Sequence, residues 1–131
     1  MLDTNFESAC DRLSHVVDSV QFERVRWARH EGPMFARLVE LAQAAVAERP
    51  DFELTDEGSS GGAKRFVLKV HGKRIAALNM ALEAGQAALW SDAIERSPYR
   101  VVNGRRQVAD FAAIDADWMQ RALGAIWSEI E

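Results

Sequence analysis

Apolar residues recur at a helical period as far as Pro50, alternate with period two from Phe52, and return to the helical period after Asp115. A helix shows one face at three- and four-residue steps and a strand at two-residue steps. The two changes of period define the class: helical segments, a run of strands, and a closing helix.

The first helix starts at Thr4, which has capping-box spacing to Glu7. Phe6, Ala9, Cys10, Leu13, Val16, Val17 and Val20 form one apolar stripe, and Trp27 and Ala28 extend it. One helix to about Arg29 fits; so does a break near Ser19, since Phe22 and Val25 leave the stripe. Gly32-Pro33 is read as the end of this segment and the opening of the next, with proline at a first-turn position. That second helix presents Met34, Phe35, Leu38, Leu41, Ala42, Ala45 and Val46 and stops at Pro50. The two are expected to pair antiparallel.

Phe52 and Leu54 read as a short edge strand, and Glu57-Gly58-Ser59-Ser60-Gly61-Gly62 as a flexible connection. A hairpin follows from Arg65 to Met80 with its turn at His71-Gly72, then a turn at Glu83-Ala84-Gly85 and a strand around Ala87 to Ser91. Asn103-Gly104 is a strong type I′ signal, so a second hairpin is expected over 99–108. The last helix is capped by Asp115 and carries Trp118, Met119, Ala122, Leu123, Ile126, Trp127 and Ile130. The expectation is one α+β domain spanning 1–131. It has two layers: a mostly antiparallel sheet of five or six strands packed on two N-terminal helices and one C-terminal helix. The other sheet face is left for solvent or a partner.

At 131 residues, 48% hydrophobic and 27% charged, the chain is long enough for one core without staples. No apolar run approaches the ~20 residues needed to span a bilayer, and the first residues lack a basic start and an apolar signal core. A cytoplasmic location with no membrane partner is expected, and the Ala- and Arg-rich composition suggests a bacterial source. The single cysteine, Cys10, fits a reducing compartment.

Net charge is −4, but its distribution is uneven: −6 over 1–63, +5 over 64–110 and −3 over 111–131. Acidic segments flanking a basic middle mark either an anion-binding face or charge complementarity inside the fold. With a two-residue turn at His71-Gly72, Lys69 stands opposite Arg74 and Arg65 opposite Leu78. A bulged turn one residue longer instead groups Phe66, Leu68 and Val70 with Ala76, Leu78 and Met80, and separates Lys69 from Arg74. In the first register Lys69, Arg74, Arg100 and Arg105 form a candidate face for an anionic ligand or nucleic acid.

Other chemistry finds little support. Gly58 to Lys64 lacks a glycine before Lys64 and a Ser or Thr after it, and it leads into a strand, so it is not a phosphate-binding loop. Cys10, His15, His30 and His71 share no metal-ligand spacing. Asp51 and Lys69 lack the intervening acid of a nuclease site, since Val67 stands there. Ser59 and Ser60 have no base or orienting acid. No cofactor or metal is expected.

The segment FVLKVHGKRIAAL, Phe66 to Leu78, resembles the hairpin of YjbR-like domains, small α+β proteins linked to DNA binding. That resemblance implies a fold class and transfers no functional residue. Trp90 with Tyr99 is a candidate interface, because aromatic anchors are enriched at interfaces. The leading reading is therefore a non-enzymatic binding or protein-interaction module acting as a homodimer. The alternatives are nucleic-acid or anion binding through the basic sheet face, and an enzyme whose site is assembled from distant residues.

Overall fold

The computed structural model describes residues 4–60 and 62–131, so Gly61 of the expected glycine-rich connection lies outside the described residues. The fold is α+β: helices, a five-stranded antiparallel sheet and a closing helix. It divides into two compact units, Met1–Met34 and Phe35–Glu131.

In the first unit α1 (Thr4–Val17) and α2 (Ser19–Arg26) meet at Asp18, whose φ of −160° and ψ of 97° are extended. The break near Ser19 is the alternative that forms. Its cause is local: the Asp18 carboxylate accepts the Gln21 N–H at 3.1 Å and so caps α2. After α2 comes a π-helical turn, Trp27–Glu31, running directly into α3 (Gly32–Ala47). The expected stop at Gly32-Pro33 is thus corrected to a widened turn. Pro33 has no N–H to offer the Arg29 carbonyl and its ring would crowd it, and a wider turn relieves that conflict. A Cβ on Gly32 would stand 3.1 Å from the Trp27 ring, so the bare glycine makes room for the indole. Neither α1, α2 nor the π turn buries a side chain among its described residues.

The second unit holds α3 from Phe35 onward, the strands β1 (Phe52–Ser60), β2 (Ala63–Val70), β3 (Lys73–Glu83), β4 (Gln86–Asp92) and β5 (Gln107–Asp110), and α4 (Ala116–Trp127). The strands pair in sequence order as an antiparallel meander. On one face Leu54, Phe66, Leu68, Leu78, Met80, Leu82 and Leu89 are buried. From α3, Leu38, Leu41 and Ala42 join this core, and from α4, Met119, Leu123 and Ile126. The helix edges are tied down too: Gln43 donates to the Leu54 carbonyl at 3.2 Å, and Asp115 caps α4 by accepting the Trp118 N–H at 2.8 Å. None of the helices is long and apolar enough to cross a membrane among the described residues.

Three strand expectations change. The edge strand is longer than the Phe52–Leu54 alternation suggests: β1 absorbs most of the supposed connection, with a bulge between Asp56 and Gly58. In the central hairpin the turn has two residues, with His71 at φ 52° and Gly72 at φ 76°, so Lys69 does oppose Arg74. A bulge then falls between Leu68 and Lys69, leaving Ile75 as the extra residue, so Phe66 opposes Leu78 and Arg65 opposes Asn79 rather than Leu78. Each proposed register holds on its own side of the bulge.

The second hairpin does not form. Asn103 and Gly104 do take positive φ, 71° and 58°, but the flanks find different partners. Val101 bridges Ile130, with Arg100 and Glu131 exchanging both backbone bonds at 2.7 and 2.8 Å, while Gln107–Asp110 pairs with β4. A turn sets local direction; it does not choose the strands' partners.

The β1–β2 end carries a charge lock. Lys64 meets Asp56 at 2.7 Å and the Gly58 N–H donates to Asp56 at 2.8 Å. Both hold the Asp56 carboxyl below its usual range, Lys64 foremost. A carboxylate whose folded pKa is lowered stabilises fully above its unfolded value, ~3.9, and loses that contribution as pH falls through the folded value. Below about pH 4 this end is therefore expected to loosen, read as a shift of the Gly58 amide resonance in an acid titration. Asp56→Asn removes that titration step; its persistence in the variant would exclude Asp56 as the source.

Candidate functional site

Within the second unit α3 and α4 contribute to the core on the face just described, and the second face of the sheet divides into a sealed half and an open half. On the sealed half the row Thr55, Val67, Ala77 runs across β1, β2 and β3, and Val67 and Ala77 are 1% exposed. An ion pair spans this half: Arg74 on β3 reaches Glu57 on β1 at 2.8 Å, across the β2 strand between them.

The next row defines the site. Gly58 opposes Arg65, Arg65 opposes Asn79, and Asn79 opposes Trp90, a single line across four strands. Beyond Trp90, where β5 begins, Arg106 lays its guanidinium over the indole, 3.9 Å from the ring centroid. Five neighbours at the usual strand spacing of ~4.8 Å make a line roughly 20 Å long. Within it Arg65 donates to Asn79 at 3.3 Å, Asn79 donates to Asp92 at 2.7 Å, and Arg65 stands 3.6 Å from Asp92. The buried amide of Asn79 is satisfied on both sides, and it holds Arg65 across β3 toward Asp92 on β4.

Beside this line lies a row of small residues: Ala63, Ala81, Ala88 and then Val108. Small side chains leave the Trp90–Arg106 stack standing above a low floor. Two shallow concavities result. One, about 330 Å³, is bounded by Gly58, Arg65, Asn79 and Trp90; the other, about 370 Å³, lies over Ala81, Ala88, Arg106 and Val108. Gly58 enlarges the first, because it adds no side chain at the β1 end of the line.

The expected anion face is not assembled. Lys69 and Arg74 share the sealed half, but Arg74 is held by Glu57. Arg100 pairs with Glu131 at 3.3 Å, and Arg105 with Glu129 at 3.5 Å, beside the backbone bridge that replaces the second hairpin. Charge complementarity inside the fold thus accounts for three of the four. Their carboxylate partners lie on β1 and after α4. Neither Lys69 nor Arg106 is in an ion pair among the described residues.

Trp90 and Tyr99 are separated as well. Trp90 stands on the open face, whereas Tyr99 lines an apolar cleft of about 310 Å³ on the helix side with Phe52, Ile75 and Trp127. The aromatic walls of that cleft, Phe52 and Trp127, have ring centroids 6.4 Å apart. Sequence reasoning missed Arg65, Asn79 and Arg106 as neighbours of Trp90, since only the register of four strands aligns them. Among the described residues no group of three or more His, Cys, Asp or Glu side chains is placed to hold a metal.

No protein-family model matches the chain, and no curated protein matches it. Among solved structures it is similar to apeThermo-DBP-RP2, crystallised bound to the single-stranded DNA dT10, at 17% identity and a TM-score of 0.40. The match covers 79% of this chain and 47% of that one, so the chain spans about half of that protein's length.

Proposed function

We propose that the chain is a non-enzymatic binding module whose open sheet face takes single-stranded nucleic acid. The observation that carries this reading is the Trp90–Arg106 stack standing over an alanine floor, with Arg106 in no ion pair among the described residues and Arg65 held nearby by Asn79 and Asp92. Single strands bind where an aromatic ring offers its π-face to a base and cations follow the backbone. Every base has a π-face, so such a platform tolerates sequence. Arg106 suits both tasks: it swings aside to admit a base, or stays and presents charge to a phosphate.

The test is fluorescence anisotropy with a labelled oligothymidine at low and moderate salt. Binding is expected, weakening as salt rises with a slope of about 0.7 per phosphate contacted. Trp90→Ala is expected to weaken it roughly 5- to 150-fold, matching the ~1–3 kcal/mol of one stacked base. Arg106→Ala lowers affinity and flattens the salt slope. Arg100→Ala, whose charge is already spent on Glu131, changes little. Absence of binding at low salt, or equal affinity in the Trp90→Ala variant, would overturn the reading.

A further inference from the structure

We infer that α1 is a dimerisation element whose partner is α1 of a second copy of this chain. Phe6, Cys10, Leu13 and Val17 follow steps of four, three and four, the 3.5-residue period of a helix that packs along its length against another helix. Ala9 and Val16 widen the seam. In heptad terms Phe6 and Leu13 take d positions, and Cys10 and Val17 take a positions. A β-branched residue at a with leucine at d favours two strands over higher assemblies.

The stripe has no cover within its own unit. α1 turns an adjoining edge toward the helix after the Asp18 break: Glu7, Asp11 and Ser14, with Cys10 shared between this edge and the seam, line a cleft with Phe22, Val25, Arg26 and Arg29. At 100° per residue Ser14, Glu7 and Asp11 lie roughly 70–130° from the centre of the seam, and Cys10 sits about 30° from it, at the border between the two. Phe6, Leu13, Val16 and Val17 are accordingly 63, 60, 70 and 76% exposed. Together they present several hundred Å² of contiguous apolar surface, comparable to the ~300–600 Å² of the largest patch on a typical monomer. Two such patches face to face approach the ~1,200 Å² at which specific interfaces begin. A second copy suits the geometry, because a two-fold axis sets the same stripe against itself. It also suits the chemistry: the seam holds no charged residue that would demand a complementary partner.

Light scattering on the full chain during size exclusion, run as a concentration series, reads this directly. A mass near twice 14.6 kDa, falling toward the monomer on dilution, is expected. Leu13→Glu and Val16→Lys, each placing a charge in the seam, are expected to give the monomer mass while the second unit's cooperative unfolding is retained. Arg12→Glu, off the seam, is expected to keep the dimer. A wild-type monomer at every concentration would overturn the inference, and so would a dimer that survives both seam variants. Oligothymidine binding tests a different surface, so failure of one reading is distinguishable from failure of the other.

Discussion

Phe66→Ala is expected to lower the stability of the sheet unit by about 3–5 kcal/mol, the cost of emptying a buried aromatic site that its neighbours cannot close. Phe66 is 1% exposed and stands directly opposite Leu78, itself fully buried, at the centre of the covered face. Its ring also carries the Lys64 ammonium at 5.7 Å, linking the core to the charge lock with Asp56. Domains of this size have only about 5–15 kcal/mol in hand, so the variant should unfold at far lower denaturant, with the slope of the transition unchanged. Val108→Ala is the matched control, since that side chain is 54% exposed on the open face and should cost little. A Phe66→Ala loss below about 1 kcal/mol, where surface changes fall, would mean that the covered face is not where the core lies.

The same contrast shows which parts of the fold were legible in the sequence. α4 could be read because Met119, Ala122, Leu123 and Ile126 repeat at a period only a one-sided helix produces, and all four are buried. The Asp115 cap was legible for a similar reason: a cap is made within three residues. Partner choice is a different problem. Asn103-Gly104 bends the chain as its residues require, yet Val101 pairs with Ile130, nearly thirty residues away. The polar stretch at Glu57 to Ser59 carries no alternation, but as β1 it pairs with Arg65 and Lys64 because the neighbouring backbone offers hydrogen bonds.

The candidate site was half legible on the same terms. Trp90 stood out as an aromatic residue on a strand whose two sides cannot both face helices. Its companions did not, because Arg65, Asn79 and Arg106 reach it only through the summed register of neighbouring strands, including the bulge at Ile75 in β3. A one-residue slip in any of them sends the side chain to the other face. Net charge misled for a related reason. It marks a basic region, whereas binding depends on which cations keep their charge unpaired, and Arg74, Arg100 and Arg105 do not.

Gly62→Ala is expected to be as damaging as a core truncation although it adds one methyl group at a turn. A Cβ at Gly62 would sit 2.7 Å from the carbonyl oxygen of Leu82. That atom is backbone, so no side-chain rotation relieves the contact. The same two residues are joined in the other direction, with the Leu82 N–H donating to the Gly62 carbonyl at 2.8 Å. Making room for the methyl therefore pulls the β1–β2 turn off β3 and strands a buried donor. Overpacking costs about 1–3 kcal/mol and an orphaned N–H about 1–3 kcal/mol more, giving a loss of roughly 2–5 kcal/mol. Gly58→Ala separates this from a general intolerance of the segment: at φ 127° it is strained, but its Cβ would meet nothing within 4 Å and no hydrogen bond across to β3 is lost. Amide exchange at Leu82 should rise sharply in Gly62→Ala and stay protected in Gly58→Ala. Because Ala63 begins the floor of the binding row and Gly58 borders its first concavity, Gly62→Ala should also weaken oligothymidine binding. Wild-type exchange at Leu82 in the Gly62 variant would remove the close approach, and with it the role of this turn in holding the site in place.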